Sequence, residues 1–176
     1  MAMTTDGLAT KIKTALSSVN DQPDAISKLS NAIKEYIQDN CELSYAWVGI
    51  APGPVTDTVT SFTASLTFTS FSLSVTDLPT AAGAVNSLGL SLGANLAGGV
   101  VTPPVGFALS PPYLIPTPLS PLTASQATTQ NDAINHLVEE IISGVKNMAN
   151  YSPILLGAHG TFLAPPGTGA TLISIS

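Results

Sequence analysis

Few residues in this chain have the types and spacing to do chemistry. Gly89-Leu90-Ser91-Leu92-Gly93 has the G-x-S-x-G spacing of a nucleophile elbow, in which a tight turn lifts a serine out of a sheet for activation by a histidine and an acid. Asp132 and then His159 follow in the chain order that such a hydrolase uses. An elbow also needs a buried strand before it and a helix after it, within alternating β and α units. Here the serine lies in a glycine-rich apolar run that has neither. A small serine hydrolase is therefore the last of three readings.

His136, Glu139 and Glu140 fall on adjacent turns of one predicted helix, so His136 and Glu140 could share a metal. They supply two ligands where zinc needs three or four, and His159 would have to come from elsewhere in the fold. A solvated helix face for His136 and a turn for His159 are the simpler expectation. Asp57 and Asp77 sit among threonines and turn residues, where a carboxylate caps backbone amides. No glycine loop with its lysine is present to cradle phosphate. The expectation is a protein without catalysis, with no cofactor, no metal and no small-molecule ligand.

The elements that would carry these residues are dominated by an uncharged middle. Residues 43–131 contain Asp57 and Asp77 as their only formal charges, and no Lys, Arg or His. A free globular monomer spreads roughly a quarter charged residues over its sequence, whereas this chain has 9% charged and 44% hydrophobic residues. Such a stretch has to be packed against something. The net charge of −6, with five lysines and no arginine, removes the electrostatic term that dominates nucleic-acid affinity. Cys41 is the single cysteine and reads as a small buried apolar residue, so neither an intrachain disulfide nor a thiolate metal cluster is expected. The polar start does not have the basic and apolar blocks of a secretory signal. Residues 80–101 are about the length of a membrane span, but they hold Asn86, Asn95, Ser87, Ser91 and five glycines without flanking basic residues, so a span is disfavoured.

Along the chain, Thr4, Thr5 and Asp6 can cap a helix with Leu8, Ile12, Ala15, Leu16 and Val19 on its inner face and Lys11 and Lys13 outside. A turn at Asn20-Asp21-Gln22-Pro23 leads to a second helix with Ile26, Leu29, Ile33, Tyr36 and Ile37 inward. Leu43, Tyr45 and Trp47 then alternate as a strand. Phe62, Ala64, Leu66 and Phe68 share one parity, whereas Phe71, Leu73 and Val75 take the other. The switch at Thr69-Ser70 predicts a bulge, a turn or a change of covered side. Thr80 can cap a helix over 80–101 with Ala81, Val85, Leu88, Leu92 and Leu96 at helical spacing, and Gly89 and Gly93 permit close approach of another backbone.

An arm follows over 102–121, with seven prolines from Pro103 to Pro121 interleaved with apolar residues. That density forbids a helix or a central strand and favours an extended polyproline chain. Its apolar side chains have to lie along a surface, of this domain or of a neighbour, and Pro103, Pro104, Phe107, Pro111, Pro112, Tyr113, Leu114, Ile115 and Pro116 are the candidate interface. Ile134, Leu137, Val138, Ile141, Ile142, Val145 and Met148 mark a long C-terminal helix. Strands are expected at 154–156, resuming at 161–163, and at 171–175. The turn Ala51-Pro52-Gly53-Pro54 rhymes with Ala164-Pro165-Pro166-Gly167, which would make helix, strand, turn, strand a unit used twice.

The run Leu29-Ser30-Asn31-Ala32-Ile33-Lys34-Glu35-Tyr36-Ile37 leads from a short amphipathic helix into a Thr/Ser-rich strand. A second helix leads to Gly157-Ala158-His159-Gly160 and Pro165-Pro166-Gly167-Thr168-Gly169. This pattern resembles small virion structural proteins of tailed, particularly contractile-tailed, bacteriophages. The resemblance implies a head, neck, tail or baseplate subunit, assembled in the bacterial host cytoplasm into the virion. Its partners would be copies of itself and other virion proteins. The expected fold is α+β in one domain over 1–176: an N-terminal helical hairpin and a long C-terminal helix packed on an antiparallel β-sheet, with an extended proline-rich arm. The alternative is a secreted or surface-exposed β-rich binding module.

Overall fold

The computed structural model of the protein describes residues 2–48, 59–75, 80–102, 107–109, 129–146, 155–159, 162–164 and 170–175. The architecture is α+β, with four helices and a four-stranded antiparallel sheet among these residues. Helix α1 (Thr5–Leu16) starts at Thr4, whose hydroxyl accepts the Gly7 N–H, and buries Leu8 and Ile12. Helix α2 (Gln22–Asn40) starts at Asp21, whose carboxylate accepts the Asp24 N–H at 2.9 Å, and carries Pro23 in its first turn, where the missing N–H costs nothing. The two helices form the expected hairpin. The Tyr36 hydroxyl ties them together by accepting the Thr4 N–H (2.8 Å) and donating to the Thr4 carbonyl (2.9 Å). Two details differ from expectation. Val19 lies beyond the end of α1 and is exposed, because the helix stops at Leu16. Lys11 does not face away; it reaches across the hairpin to Glu35 at 3.0 Å and Asp39 at 3.8 Å.

Strands β1 (Glu42–Val48) and β2 (Val59–Thr67) form the centre of the main sheet. β3 (Val100–Thr102) and β7 (Ala170–Ile175) flank them, giving the order β3-β2-β1-β7 with antiparallel neighbours. The register explains the alternation. Ala64, Leu43 and Ile175 lie opposite one another, as do Leu66 and Val101, and all five are buried, while Thr63 and Ser65 are exposed. Helices cover this buried face: α2 meets β2, and α4 (Gln130–Lys146) meets β7 as well as α1 and α3 (Ala81–Ala97). α4 buries Leu137, Val138, Ile141, Ile142 and Val145, as its stripe predicts, and Met148 lies outside the described residues. β7 pairs with β1 through a register shift at Ser44/Tyr45, which leaves Ile173 without an opposite residue.

A second antiparallel sheet has the order β4-β5-β6, from β4 (Phe107–Leu109), β5 (Leu155–His159) and β6 (Phe162–Ala164). β4 lies inside the proline-rich arm, as an edge strand, a position that the expected exclusion of a central strand leaves open. One sequence expectation changes here. The helix, strand, turn, strand unit is not used twice: β1 pairs with β2, but β6 and β7 belong to different sheets.

Candidate functional site

The most unusual construction in the fold surrounds residues 71–75. β2 ends at Thr67, and the chain bends at Thr69 and leaves the sheet. Phe68 stays buried at the exit and meets Phe71 edge to face, with ring centroids 5.1 Å apart at 68°. From there the chain runs extended between α2 and α3, with Leu73 buried, Phe71 and Val75 half-buried, and Ser72 and Ser74 exposed. The predicted parity switch is therefore a departure from the sheet onto the helices.

Helix side chains hold the backbone of this strap. Asn95 grips the Ser72 peptide at both polar atoms: its Oδ1 accepts the N–H at 2.9 Å and its Nδ2 donates to the carbonyl at 2.8 Å. Ser91 Oγ accepts the Ser74 N–H at 3.0 Å. From the other side, the buried Ser30 Oγ accepts the Leu73 N–H at 3.1 Å while donating to the Ile26 carbonyl at 2.8 Å. Ser91 and Asn95 are one helical turn apart on α3, and Asn95 Nδ2 also bonds the Ser91 carbonyl at 2.7 Å.

This geometry places the candidate chemistry. Ser91 lies in the middle of α3, ten residues into the helix, rather than on a strand-to-helix turn, and its hydroxyl bonds the strap backbone. Asp132 is in the first turn of α4, where its carboxylate accepts the Thr129 N–H (2.9 Å) and its own N–H donates to Thr129 Oγ1 (3.1 Å), a reciprocal capping box. His159 closes β5 opposite Phe162 of β6. His136 and Glu140 are half-buried on α4 and Glu139 is exposed. Among the described residues no group of three or more His, Cys, Asp and Glu is placed to hold a metal ion. Asp57 and Asp77 lie outside the described residues. Cys41 caps the end of α2 and is buried, which pushes its thiol up to about 12.

Of the candidate interface residues, Phe107 lies in β4, with its backbone in register with Gly157 of β5. Pro103, Pro104, Pro111, Pro112, Tyr113, Leu114, Ile115 and Pro116 lie outside the described residues. The described surface offers a different candidate. α3 carries no charged residue, and its polar side chains are Asn86, Ser87, Ser91 and Asn95. Leu88, Leu92 and Leu96 turn inward, and α4 and the strap occupy that side. Leu90, Ala94 and Ala97 form the opposite face, and Leu90 is 81% exposed. Sequence reading overlooked Leu90 and Asn95, although each leaves a signal. Leu90 falls off the Leu88, Leu92, Leu96 stripe, and Asn95 stands one turn after Ser91 in an uncharged helix. Ser30 likewise interrupts the inner face between Ile26 and Ile33.

No helix among the described residues is long and apolar enough to cross a membrane. In comparisons with known proteins, no family model, curated protein or solved structure matches the chain.

Proposed function

We infer that this chain is a structural subunit of a bacteriophage particle, a head, neck, tail or baseplate component that acts by packing against copies of itself and other virion proteins, without catalysis. The observation that carries the assembling role is α3. A helix without a single charged residue, built mostly of small and apolar ones, gains from cover on every side, yet this one presents Leu90, Ala94 and Ala97 on an uncharged outer face bordered by Asn86 and Ser87. The uncharged middle points the same way, because residues 43–131 carry little to keep copies apart in water. The phage setting comes from the resemblance of the helix-to-strand pattern. The polar groups best placed for chemistry support the non-catalytic reading, since Ser91 and Asp132 bond backbone amides.

Light scattering on the purified chain across a concentration series tests this role. The expected result is a mass that rises with concentration toward a defined oligomer. A compact monomer at high concentration overturns the reading and favours the binding module.

A further inference from the structure

Among the described residues the two sheets present four edge strands, and these are not alike. β3 and β7 bound the main sheet, and β4 and β6 bound the second. β3, β4 and β6 are each three residues long. A proline pair follows each of them: Pro103-Pro104 after Thr102, Pro111-Pro112 beyond Leu109, and Pro165-Pro166 after Ala164. Short length and proline are devices that keep an edge from pairing with another chain, since proline removes an N–H from the ladder. β7 has neither device. It runs for six residues, Ala170–Ile175, without a proline or a charge, and Thr171, Ile173 and Ile175 are of the β-branched type that favours strands. β1 takes one side of it, and among the described residues no strand takes the other.

We propose that this unguarded edge of β7 is where a second copy of the chain adds its own β7, antiparallel and about a two-fold axis, as copies assemble. An antiparallel edge is self-complementary. A two-fold rotation sets its row of N–H and C=O groups against the same row, as an isologous contact requires. Every pairing in the main sheet is already antiparallel, so the addition continues β3-β2-β1-β7 into one sheet across two copies. The pairing replaces water on backbone groups at the edge and opens nothing in the fold. It also stops at two copies, because the far edge of the joined sheet on each side is β3, short and closed by Pro103-Pro104. The contact is secondary to the outer face of α3. The register shift at Ser44/Tyr45 takes Ile173 out of the β1 ladder and bends the edge, so the regular run is short. A two-stranded contact of that length is marginal alone, and it forms once α3 has raised the local concentration of copies.

This inference rests on the assembly reading, and one experiment separates the two. Native-state amide hydrogen exchange is measured on the full chain and on Thr171→Lys, in dilute solution and at concentrations where scattering shows association. In dilute solution the β7 amides that do not bond to β1 exchange roughly tenfold faster than those that do. On association of the parent chain these edge amides gain roughly tenfold protection, as ladder pairing requires, while the β3 amides that do not bond to β2 keep their rates. Thr171 lies opposite Ala46, on the side of the sheet that carries Ser44 and the exposed Thr63. Lysine in an edge strand opposes strand addition, so T171K, folded as the parent by circular dichroism, associates through α3 without the gain at β7. Association that leaves the edge amides unchanged overturns the β7 contact and spares the assembly reading. Edge amides already protected in dilute solution, or a gain that T171K keeps, do the same. Absence of association at every concentration overturns both.

Discussion

Ser91 matches a nucleophile motif, and its hydroxyl instead accepts the Ser74 N–H within a helix that has no elbow. A motif states spacing and leaves open what the side chain meets. Cys41 makes the complementary point, since a lone cysteine reads as a small buried apolar residue and this one is buried. Its thiol is pushed up to about 12 by burial, so a thiol reagent at mildly alkaline pH should leave native Cys41 unmodified and react once denaturant is added. Rapid native modification would contradict its burial. The raised value also sets a sign. Above the ordinary 9.0 the unfolded thiol ionises while the buried one stays neutral, so this group lowers stability as pH rises from 9.0 toward about 12. Asp24 shifts the other way. Its carboxylate accepts from Lys28 and from the Asn20 N–H, which lowers it from the ordinary 3.8. Its contribution is complete above 3.8 and is lost as pH falls through the lowered value. A carboxyl NMR titration should place Asp24 below 3.8 and move it back toward 3.8 in Lys28→Met; a midpoint unmoved by that change would contradict the pairing.

At the level of elements, helices with a polar face were legible because capping and periodicity agree. Thr4 and Thr80 each accept an N–H where the sequence predicts a cap, and Asp21 does the same from the predicted turn before α2. α3 ends earlier than its spacing suggests. Gly98 and Gly99 close it after Ala97, and Val100–Thr102 become β3, paired with β2. Apolar content alone cannot separate a buried helix from a short strand, so this boundary depends on tertiary pairing. The close approach expected at Gly93 is also absent, since a Cβ there would meet no atom within 4 Å, whereas one at Gly99 would lie 2.8 Å from Leu66 Cδ1 and 3.1 Å from Phe68 Cε1. The two glycines therefore predict opposite signs. In chemical denaturation Gly93→Ala should raise stability by about 0.5–1 kcal/mol through helix propensity, and Gly99→Ala should lower it by roughly 1–3 kcal/mol through overpacking. Equal effects would contradict the packing described at the end of α3.

For the whole molecule, the fold class was legible and the division of strands between sheets was not. Alternation at Leu43, Ala64 and Leu66 shows which side of a strand is covered, but pairing between distant segments such as β1 and β7 leaves no local trace. The rhyme between the two Ala-Pro segments failed for the same reason: like sequences can precede strands of one sheet or of two. The described residues of the uncharged middle resolve into a sheet face covered by helices, a strap clamped between α2 and α3, a helix with an uncovered side and the edge strand β4. The uncovered side of that helix is the basis for an assembling subunit, and charging it is the most direct test. Light scattering on Leu90→Glu should show a chain that folds as the parent does, by circular dichroism, but stays monomeric at concentrations where the parent associates. A parent and variant of equal oligomeric mass would contradict assembly through the outer face of α3.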